Sequence, residues 1–196
     1  MEIVRRTTNK LAKISPIHVI FQPELDSLER RAVMQTVASV TRIGRASEIT
    51  IAEYPFDDIQ RSIEAGLRAS SAEGKLNAEA MLQLQTQGHY KVVVIRYPIY
   101  SGDQEVFGIA WPGLGAIIST GKLDMAPYEL RQRELKKTTA HELGHVFGLI
   151  SEARTDNITM SSGGKHCTNQ CIMDELATYT YFCEPCTKDL IAYFKK

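Results

Sequence analysis

The chain has no long hydrophobic run, no excess of charge of either sign and no cysteine before residue 167. None of its apolar runs approaches the roughly 20 residues that a membrane-spanning helix needs, so no membrane partner is expected. The 23 basic and 23 acidic residues give a formal net charge of zero, which disfavours nucleic acid as a partner. The first ten residues, MEIVRRTTNK, are not followed by the apolar segment of a secretory signal, so we expect a cytoplasmic protein.

What the chain does contain is enough apolar residues for one core, since 43% of its 196 residues are hydrophobic. Short β-branched or alternating runs predict strands over residues 17–21, 48–54, 90–97, 105–111 and 115–120. Apolar spacing and composition predict helices over 24–43, 57–87 (one long helix or two), 127–148 and 187–194. This order predicts an α/β fold in which a twisted, mostly parallel sheet packs on helices.

Residue 148 divides the chain into two predicted parts. Residues 1–148 would form an N-terminal subdomain with the sheet and the 127–148 helix, and residues 149–196 a small C-terminal subdomain. The stretch 151–164, SEARTDNITMSSGG, is polar and predicts a loop. The four cysteines follow it closely spaced, and such a cluster in a reducing compartment favours metal binding over disulfides.

The stretch HELGHVFGL, residues 141–149, contains the pattern H-E-x-x-H. On a helix this spacing places His141 and His145 on one face, one turn apart, as two nitrogen ligands for a single zinc ion. Glu142 is the candidate general base, which would take a proton from zinc-bound water as the water attacks a peptide carbonyl. Gly148 permits the positive φ that ends a helix and turns the chain back towards the metal.

A catalytic zinc ion needs a third protein ligand. The extended pattern H-E-x-x-H-x-x-G-x-x-H would place a histidine at position 151, where this chain has Ser151, and the next histidine is His166. We interpret 149–165 as a lengthened connection, because a loop costs only about 0.6 kcal/mol of closure entropy per doubling of its length. His166 is favoured as the third ligand because imidazole is a standard catalytic zinc ligand. Its rivals are three carboxylates, those of Glu152, Asp156 and Glu175.

The cysteines form two pairs, Cys167-x3-Cys171 and Cys183-x2-Cys186, with the spacing of structural zinc sites. Four thiolates around one zinc ion make a closed site that can stabilise a segment with little core of its own. Two functions remain open from the residues alone. The first is a zinc metallopeptidase; the alternative is a non-catalytic zinc-binding protein that uses the cysteine module to bind a partner.

Four segments resemble the archaemetzincins, a peptidase family of the metzincin clan: HELGHVFGL at 141–149, HC at 166–167, CIM at 171–173 and FCEPC at 182–186. The resemblance implies a metzincin-like fold with one antiparallel edge strand, zinc-dependent hydrolysis of peptides, and one catalytic and one structural zinc ion per chain. The implied site residues are His141, His145 and His166 on the catalytic zinc, Glu142 as general base, Cys167, Cys171, Cys183 and Cys186 on the structural zinc, and Met173 as the Met-turn residue beneath the catalytic zinc.

The resemblance also implies where the substrate, a peptide or protein, would bind. Phe107, Gly108, Ile109 and Ala110 would belong to the edge strand above the cleft, to which a peptide adds through main-chain hydrogen bonds. A monomer is expected. The chain departs from the family pattern in two places: 17 residues separate Gly148 from His166 in place of the usual short connection, and the first cysteine pair has x3 spacing rather than x4.

Overall fold

The structure, a computed structural model, describes residues 15–46, 48–57, 60–61, 76–77, 89–161, 164–175 and 179–195. Its strands are β1 (Ile17–Phe21), β2 (Ile51–Tyr54), β3 (Leu76–Asn77), β4 (Tyr90–Ile95), β5 (Ile99–Ser101), β6 (Gln104–Val106), β7 (Gly108–Trp111), β8 (Gly115–Ser119), β9 (Ile158–Ser161) and β10 (Gly164–Cys167). Its helices are α1 (Ser27–Ile43), α2 (Tyr128–Val146) and α3 (Glu184–Lys195). Among these described helices, none is both long enough and apolar enough to cross a membrane.

Five strands form the main sheet, in the order β2-β1-β4-β8-β7. The first four run parallel, with Ile17 of β1 aligned with Ile51 of β2 and with Tyr90 of β4. β7 pairs antiparallel with β8 and is the last strand on its side of the sheet. The predicted α/β class is therefore confirmed, with a mostly parallel sheet and one antiparallel edge strand.

The central strands are apolar at nearly every position because both faces of the sheet are covered. Alternate side chains of a strand point to opposite faces. In β4, Val92 and Val94 belong to one core cluster, and Val93 and Ile95 belong to the other. The first cluster also contains apolar side chains from all three helices, so α2 is held against the sheet by a continuous core.

Helix α1 begins with a capping box. The Asp26 carboxylate accepts from the Glu29 backbone N–H at 2.7 Å, and the Glu29 carboxylate accepts from the Asp26 N–H at 3.0 Å. Glu29 is 1% exposed and pairs with Arg96 after β4, at 3.3 Å, and with Arg131 of α2, at 3.6 Å. These ion pairs join α1, the end of β4 and α2 beside the core.

The structure contradicts the sequence predictions at two places before α2. Most of the predicted helix over 57–87 lies outside the described residues, and within that range Leu76–Asn77 is a strand rather than part of a helix. The single strand predicted over 105–111 is two strands. Val106 of β6 pairs with Ile99, whereas Gly108 of β7 pairs with Ile118 of the main sheet. The chain therefore passes from one sheet to another at Phe107.

The prediction of a loop over 151–164 is also wrong in its second half. β9 and β10 form an antiparallel hairpin in which His166 is aligned with Thr159 and Cys167 with Ile158. Two neighbouring side chains in the middle of β9, Thr159 and Met160, are both exposed, so the hairpin lacks the alternation that marks a half-buried strand. The predicted C-terminal helix is confirmed but begins at Glu184 rather than at residue 187.

Candidate active site

Two histidines in the last turns of α2 face a common point. Their Nε2 atoms, those of His141 and His145, are 3.1 Å apart. The His141 Nδ1 lies 2.7 Å from the Ile172 carbonyl oxygen, and the His145 Nδ1 lies 3.0 Å from the Leu149 carbonyl oxygen. Because a carbonyl oxygen only accepts, each Nδ1 carries the hydrogen, and each Nε2 lone pair is available to a metal ion.

Helix α2 ends directly behind these histidines because Gly148 adopts the left-handed conformation, with a φ of +71°. The Leu149 N–H then donates to the Gly144 carbonyl oxygen at 2.8 Å, which closes the last turn. The predicted positive φ at Gly148 is confirmed. This turn also directs the Leu149 carbonyl towards His145.

His166 reaches the pair from strand β10. It is 3% exposed, and its ring centroid lies 5.2 Å from that of His141 and 5.0 Å from that of His145. Its Nδ1 lies 3.2 Å from the Gly164 carbonyl oxygen and 3.0 Å from the Ser161 hydroxyl, so Nε2 is again the atom available to a metal. The three carboxylates weighed as rival ligands are exposed and do not belong to this cluster: Glu152, Asp156 and Glu175.

The three imidazoles fit a zinc ion in size and in protonation state. One ligand atom from each of His141, His145 and His166 lies within 4.8 Å of the other two. Nitrogens about 2.0–2.1 Å from a tetrahedral zinc ion are about 3.4 Å apart, close to the 3.1 Å between the first two Nε2 atoms. Burial lowers the pKa of His141 to about 4 and that of His145 to about 3, so both rings keep the neutral form that binds metal.

The Glu142 side chain points at strand β7. A Cβ placed on Gly108 would lie 2.6 Å from the Glu142 Cγ and 2.8 Å from its Oε1, so the carboxyl group packs directly on the β7 backbone. Glu142 is 8% exposed, and burial raises the pKa of its carboxyl to about 8. Nearby positive charge favours the ionised form, so a cation held by the histidines would favour a carboxylate that can accept a proton.

Met173 lies against the glycine at the centre of the motif. It is fully buried, and a Cβ on Gly144 would overlap its sulfur. The turn that carries Met173 touches both candidate centres. The Ile172 carbonyl oxygen lies next to His141, and the Met173 carbonyl oxygen accepts from the Cys167 N–H at 2.9 Å. The structure thus brings Met173 to the helix that carries two of the candidate zinc ligands.

The four cysteines form a second cluster, next to His166 in the chain. None of them is in a disulfide. The Cys167 and Cys183 sulfurs are 3.6 Å apart, and the Cys171 and Cys186 sulfurs are 3.8 Å apart. Sulfurs about 2.3 Å from a tetrahedral zinc ion lie about 3.8 Å from each other, so the cluster has the size of a four-thiolate zinc site. The hydrogen bond between the Cys171 and Cys186 sulfurs lowers the pKa of Cys171 and raises that of Cys186, so of this pair Cys171 is the thiolate.

In the described part of the 149–165 segment, two polar side chains contact these clusters, and no sequence pattern singles them out. One is Ser161, beside the His166 ring. The other is Arg154, which donates to the Cys167 sulfur at 3.0 Å and to the Cys186 sulfur at 3.2 Å. Burial acts to lower the pKa of Arg154, but the hydrogen bonds to these sulfurs outweigh it and raise that pKa. A lone serine or arginine in a polar stretch carries no signal of such contacts.

Three of the four residues predicted on a substrate-binding edge strand lie on β7: Gly108, Ile109 and Ala110. Phe107 precedes β7, is 36% exposed, and has the Lys122 Nζ 5.0 Å from its ring centroid. Within the described part of the chain, β7 pairs with β8 only. Among the described residues, no strand pairs with its other edge, and Glu142 packs on this strand at Gly108.

Comparison with known proteins relates the chain to the archaemetzincins. No protein-family model matches it. A curated protein named Archaemetzincin, from Nanoarchaeum equitans (strain Kin4-M), is 38% identical over 82 residues, which is 41% of this chain and 35% of that relative. The match thus spans about a third of the relative's length.

Two solved structures cover nearly the whole chain. The archaemetzincin from Methanopyrus kandleri matches with a TM-score of 0.70 and 20% identity, covering 94% of this chain and 98% of the other. The archaemetzincin from Archaeoglobus fulgidus, complexed with malonate, matches with a TM-score of 0.63 and 21% identity, covering 89% and 99%. The two solved structures establish the fold, and the curated relative shows that 82 residues of the chain are also similar in sequence.

The chain is thus similar to archaemetzincins in fold, and over 82 residues also in sequence. Its two departures from the archaemetzincin pattern can now be located. The lengthened connection over 149–165 contains Arg154 and the strand β9, and it leads into β10, which carries His166. The shortened spacing between Cys167 and Cys171 still brings all four sulfurs into one cluster. Neither departure separates the residues that the archaemetzincin resemblance assigns to the two centres.

Proposed function

We propose that this chain is a zinc-dependent peptidase of the archaemetzincin family. The observation that carries the proposal is the convergence of three imidazoles beside a buried carboxyl that packs on an open edge strand. The family relation supports it, since the curated relative and both solved structures bear the archaemetzincin name. Metal ligands, a proton acceptor and a strand edge for the substrate are the parts that peptide hydrolysis requires.

The chain holds two zinc ions, one at the histidines and one at the cysteines. The first set is His141, His145 and His166; the second is Cys167, Cys171, Cys183 and Cys186. A zinc ion with three protein ligands and an open position supplies a Lewis acid and lowers the pKa of water to about 7. Glu142 accepts the proton of the attacking water and delivers it to the leaving amine. Burial raises the pKa of Glu142 and a cation at the histidines would lower it; together they favour a carboxyl that can both accept and release a proton.

The substrate is an extended peptide that adds to β7 as a further strand. Main-chain groups of residues 107–110 hold it, so binding depends little on its side chains. Gly108 lies against Glu142, so the peptide residues opposite Gly108 are those nearest the general base. The chain acts as a cytoplasmic monomer without a nucleic-acid or membrane partner, a proposal that rests on its balanced charge and its four free cysteines.

Replacing Glu142 with Gln tests the peptidase proposal. The amide keeps the shape of the side chain but cannot accept a proton, so kcat for a peptide library should fall by about 10²–10⁴-fold while zinc content is unchanged. Glu129→Gln is the same chemical change at an exposed position in the first turn of α2 and should leave hydrolysis unaffected. Full activity in Glu142→Gln would remove this residue from the mechanism.

Metal analysis tests the assignment of the two centres. The wild-type chain should contain two zinc ions, and His166→Ala should retain the one at the cysteines. His18→Gln, which changes a histidine stacked on Tyr54 and His89 away from both centres, should keep both ions. A chain that binds two zinc ions and hydrolyses no member of the library would favour the non-catalytic alternative.

A further inference from the structure

Arg154 is a buried cation in direct contact with the cysteine cluster. It is 8% exposed, and two of its nitrogens point at sulfur: Nη2 lies 3.0 Å from the Cys167 Sγ and Nη1 lies 3.2 Å from the Cys186 Sγ. These sulfurs belong to different segments, β10 and α3, and the planar guanidinium reaches both at once. Among the described residues, one carboxylate lies within 4 Å of it, that of Asp189, at 3.5 Å and 20% exposed.

The charge of the cysteine centre explains what such a cation can do there. Four thiolates and one divalent ion leave a net charge of about −2 in a buried site. An uncompensated buried charge is costly, and a fixed guanidinium in hydrogen-bonding contact offsets part of it. Donated N–H groups also withdraw electron density from the sulfurs, which weakens them as nucleophiles and sets the energy of their bonds to the metal.

Arg154 also lies at the base of the hairpin that carries His166. Its Nε donates to the Asp156 carbonyl oxygen at 3.1 Å, and its Nη2 donates to the Asn157 carbonyl oxygen at 3.3 Å. Both carbonyls directly precede β9. The same side chain therefore touches the cysteine cluster and the turn from which the hairpin starts, within the segment that lengthens the connection to His166.

We propose that Arg154 is a positioning residue of the four-thiolate centre, which balances its charge and keeps its metal-bound sulfurs weakly nucleophilic through two N–H···S hydrogen bonds. The inference rests on the proposed binding of metal by the cysteines but not on peptidase activity. It gives the lengthened connection a specific role, because Arg154 comes from that segment.

The test uses the full chain, loaded at the cysteine centre with Co²⁺, and compares Arg154→Met and Arg154→Lys with the wild type. Arg154→Met keeps the apolar stem and loses both charge and donors. Its thiolate-to-cobalt charge-transfer band should move to lower energy, because sulfur without hydrogen-bond donors gives up electron density more easily.

A second measurement uses the zinc-loaded chain. In Arg154→Met, the rate at which N-ethylmaleimide alkylates the cysteines should rise by about tenfold or more. Arg154→Lys keeps the positive charge but cannot donate to both sulfurs as a guanidinium does. Its band energy and alkylation rate should lie between those of the wild type and Arg154→Met.

Lys165→Met provides the matched control. Lys165 belongs to the same hairpin and donates to the Glu152 and Arg154 carbonyl oxygens at 3.1 and 3.4 Å, without a contact to sulfur. It should therefore leave the cobalt band in place. If Lys165→Met moves the band and the alkylation rate as far as Arg154→Met does, Arg154 merely holds the segment, and the proposal is wrong.

The outcomes separate this inference from the metal assignment on which it rests. A wild-type chain that shows no thiolate-to-cobalt band would overturn the assignment of the cysteine centre, and the role of Arg154 with it. A wild-type chain that shows the band, together with Arg154 variants whose band and alkylation rate do not change, would overturn the role of Arg154 alone. If Arg154→Met does not fold, the intermediate values expected for Arg154→Lys decide the question.

Discussion

The Glu142 side chain is a carboxyl group enclosed by protein, with a pKa raised by burial from 4.5 to about 8. Below pH 4.5 it is protonated in both the folded and the unfolded chain. Between pH 4.5 and 8 the unfolded chain has released this proton and the folded chain has kept it, so this group lowers stability as the pH rises through that window. At pH 7 its effect amounts to about 3 kcal/mol.

Glu142→Gln should therefore raise the free energy of unfolding by about 3 kcal/mol at pH 7, and the gain should vanish near pH 4.5. Denaturant unfolding of both chains, with the histidine site emptied by a chelator, measures the difference at each pH. Glu129→Gln, at an exposed site, should show almost none. A gain that grew towards low pH would contradict a raised pKa at Glu142.

Gly108→Ala should disturb Glu142 without touching a metal ligand. The added Cβ would lie 2.6 Å from the Glu142 Cγ, so the carboxyl group must move away from β7. A displacement of about 1 Å in a catalytic group costs about 10²-fold in rate, so kcat should fall by that order while zinc content stays unchanged. Ala110→Gly, on the same strand, should leave kcat within a few-fold of the wild type; an equal loss there would point to β7 as a whole.

At the scale of single residues, the sequence predicts those site residues that stand at a fixed spacing in the chain. Two histidines on one helical face and two cysteine pairs are local patterns, and their side chains come together as the spacing requires. Ser161 and Arg154 were missed because their roles depend on tertiary contacts, with His166 and with the sulfurs, that no local pattern announces. The proposed roles of all these residues stay predictions until they are measured.

Among the elements, the β9–β10 hairpin shows where sequence patterns were insufficient. Ile158 and Cys167 pack in the core, but the middle of β9 is exposed and polar contacts of Arg154 and Lys165 lie at its base, so composition predicts a loop. One signal is present in the sequence: the stretch SSGG at 161–164 contains two glycines, and glycine is common where a hairpin turns. Strand β4 was predicted well because it is buried on both faces.

Ser161→Ala tests how far this hairpin serves the histidine site. The Ser161 hydroxyl lies 3.0 Å from the His166 Nδ1, and loss of a group that orients a metal ligand lowers metal affinity by about tenfold or more. Competition with a chelator for the histidine-bound zinc ion measures the change. Thr159→Val removes a hydroxyl from an exposed position of the same strand and should not alter the affinity; equal losses would assign the effect to the hairpin instead.

Across the whole molecule, one peptide bond separates the two candidate centres, because His166 and Cys167 are neighbours on β10. Met173, whose carbonyl oxygen accepts from the Cys167 N–H, adds a second connection through the turn next to His141. Fixed positions of the cysteines should therefore help to hold the histidines in the positions that bind metal. The predicted boundary at residue 148 between two subdomains stays a prediction.

Cys186→Ser should empty the cysteine centre and also weaken the histidine centre. We expect one zinc ion to be lost and the affinity for the other to fall by about tenfold, because β10 loses its anchor on α3. Zinc titration of the variant measures the number of zinc ions bound and the affinity of the histidine centre. Leu190→Ala weakens the packing of α3 without removing a thiolate, so it should keep both ions; parallel losses in the two variants would mean that the two centres depend only on global stability.

The contact between Gly144 and Met173 restricts how this motif can vary among relatives. The middle positions of H-E-x-x-H are written as free, yet here the second of them has no room for a side chain unless the methionine sulfur moves. In an alignment of homologues, the two positions should covary. A larger residue than glycine at position 144 should be found with a residue smaller than methionine at 173, and neither exchange should be common without the other.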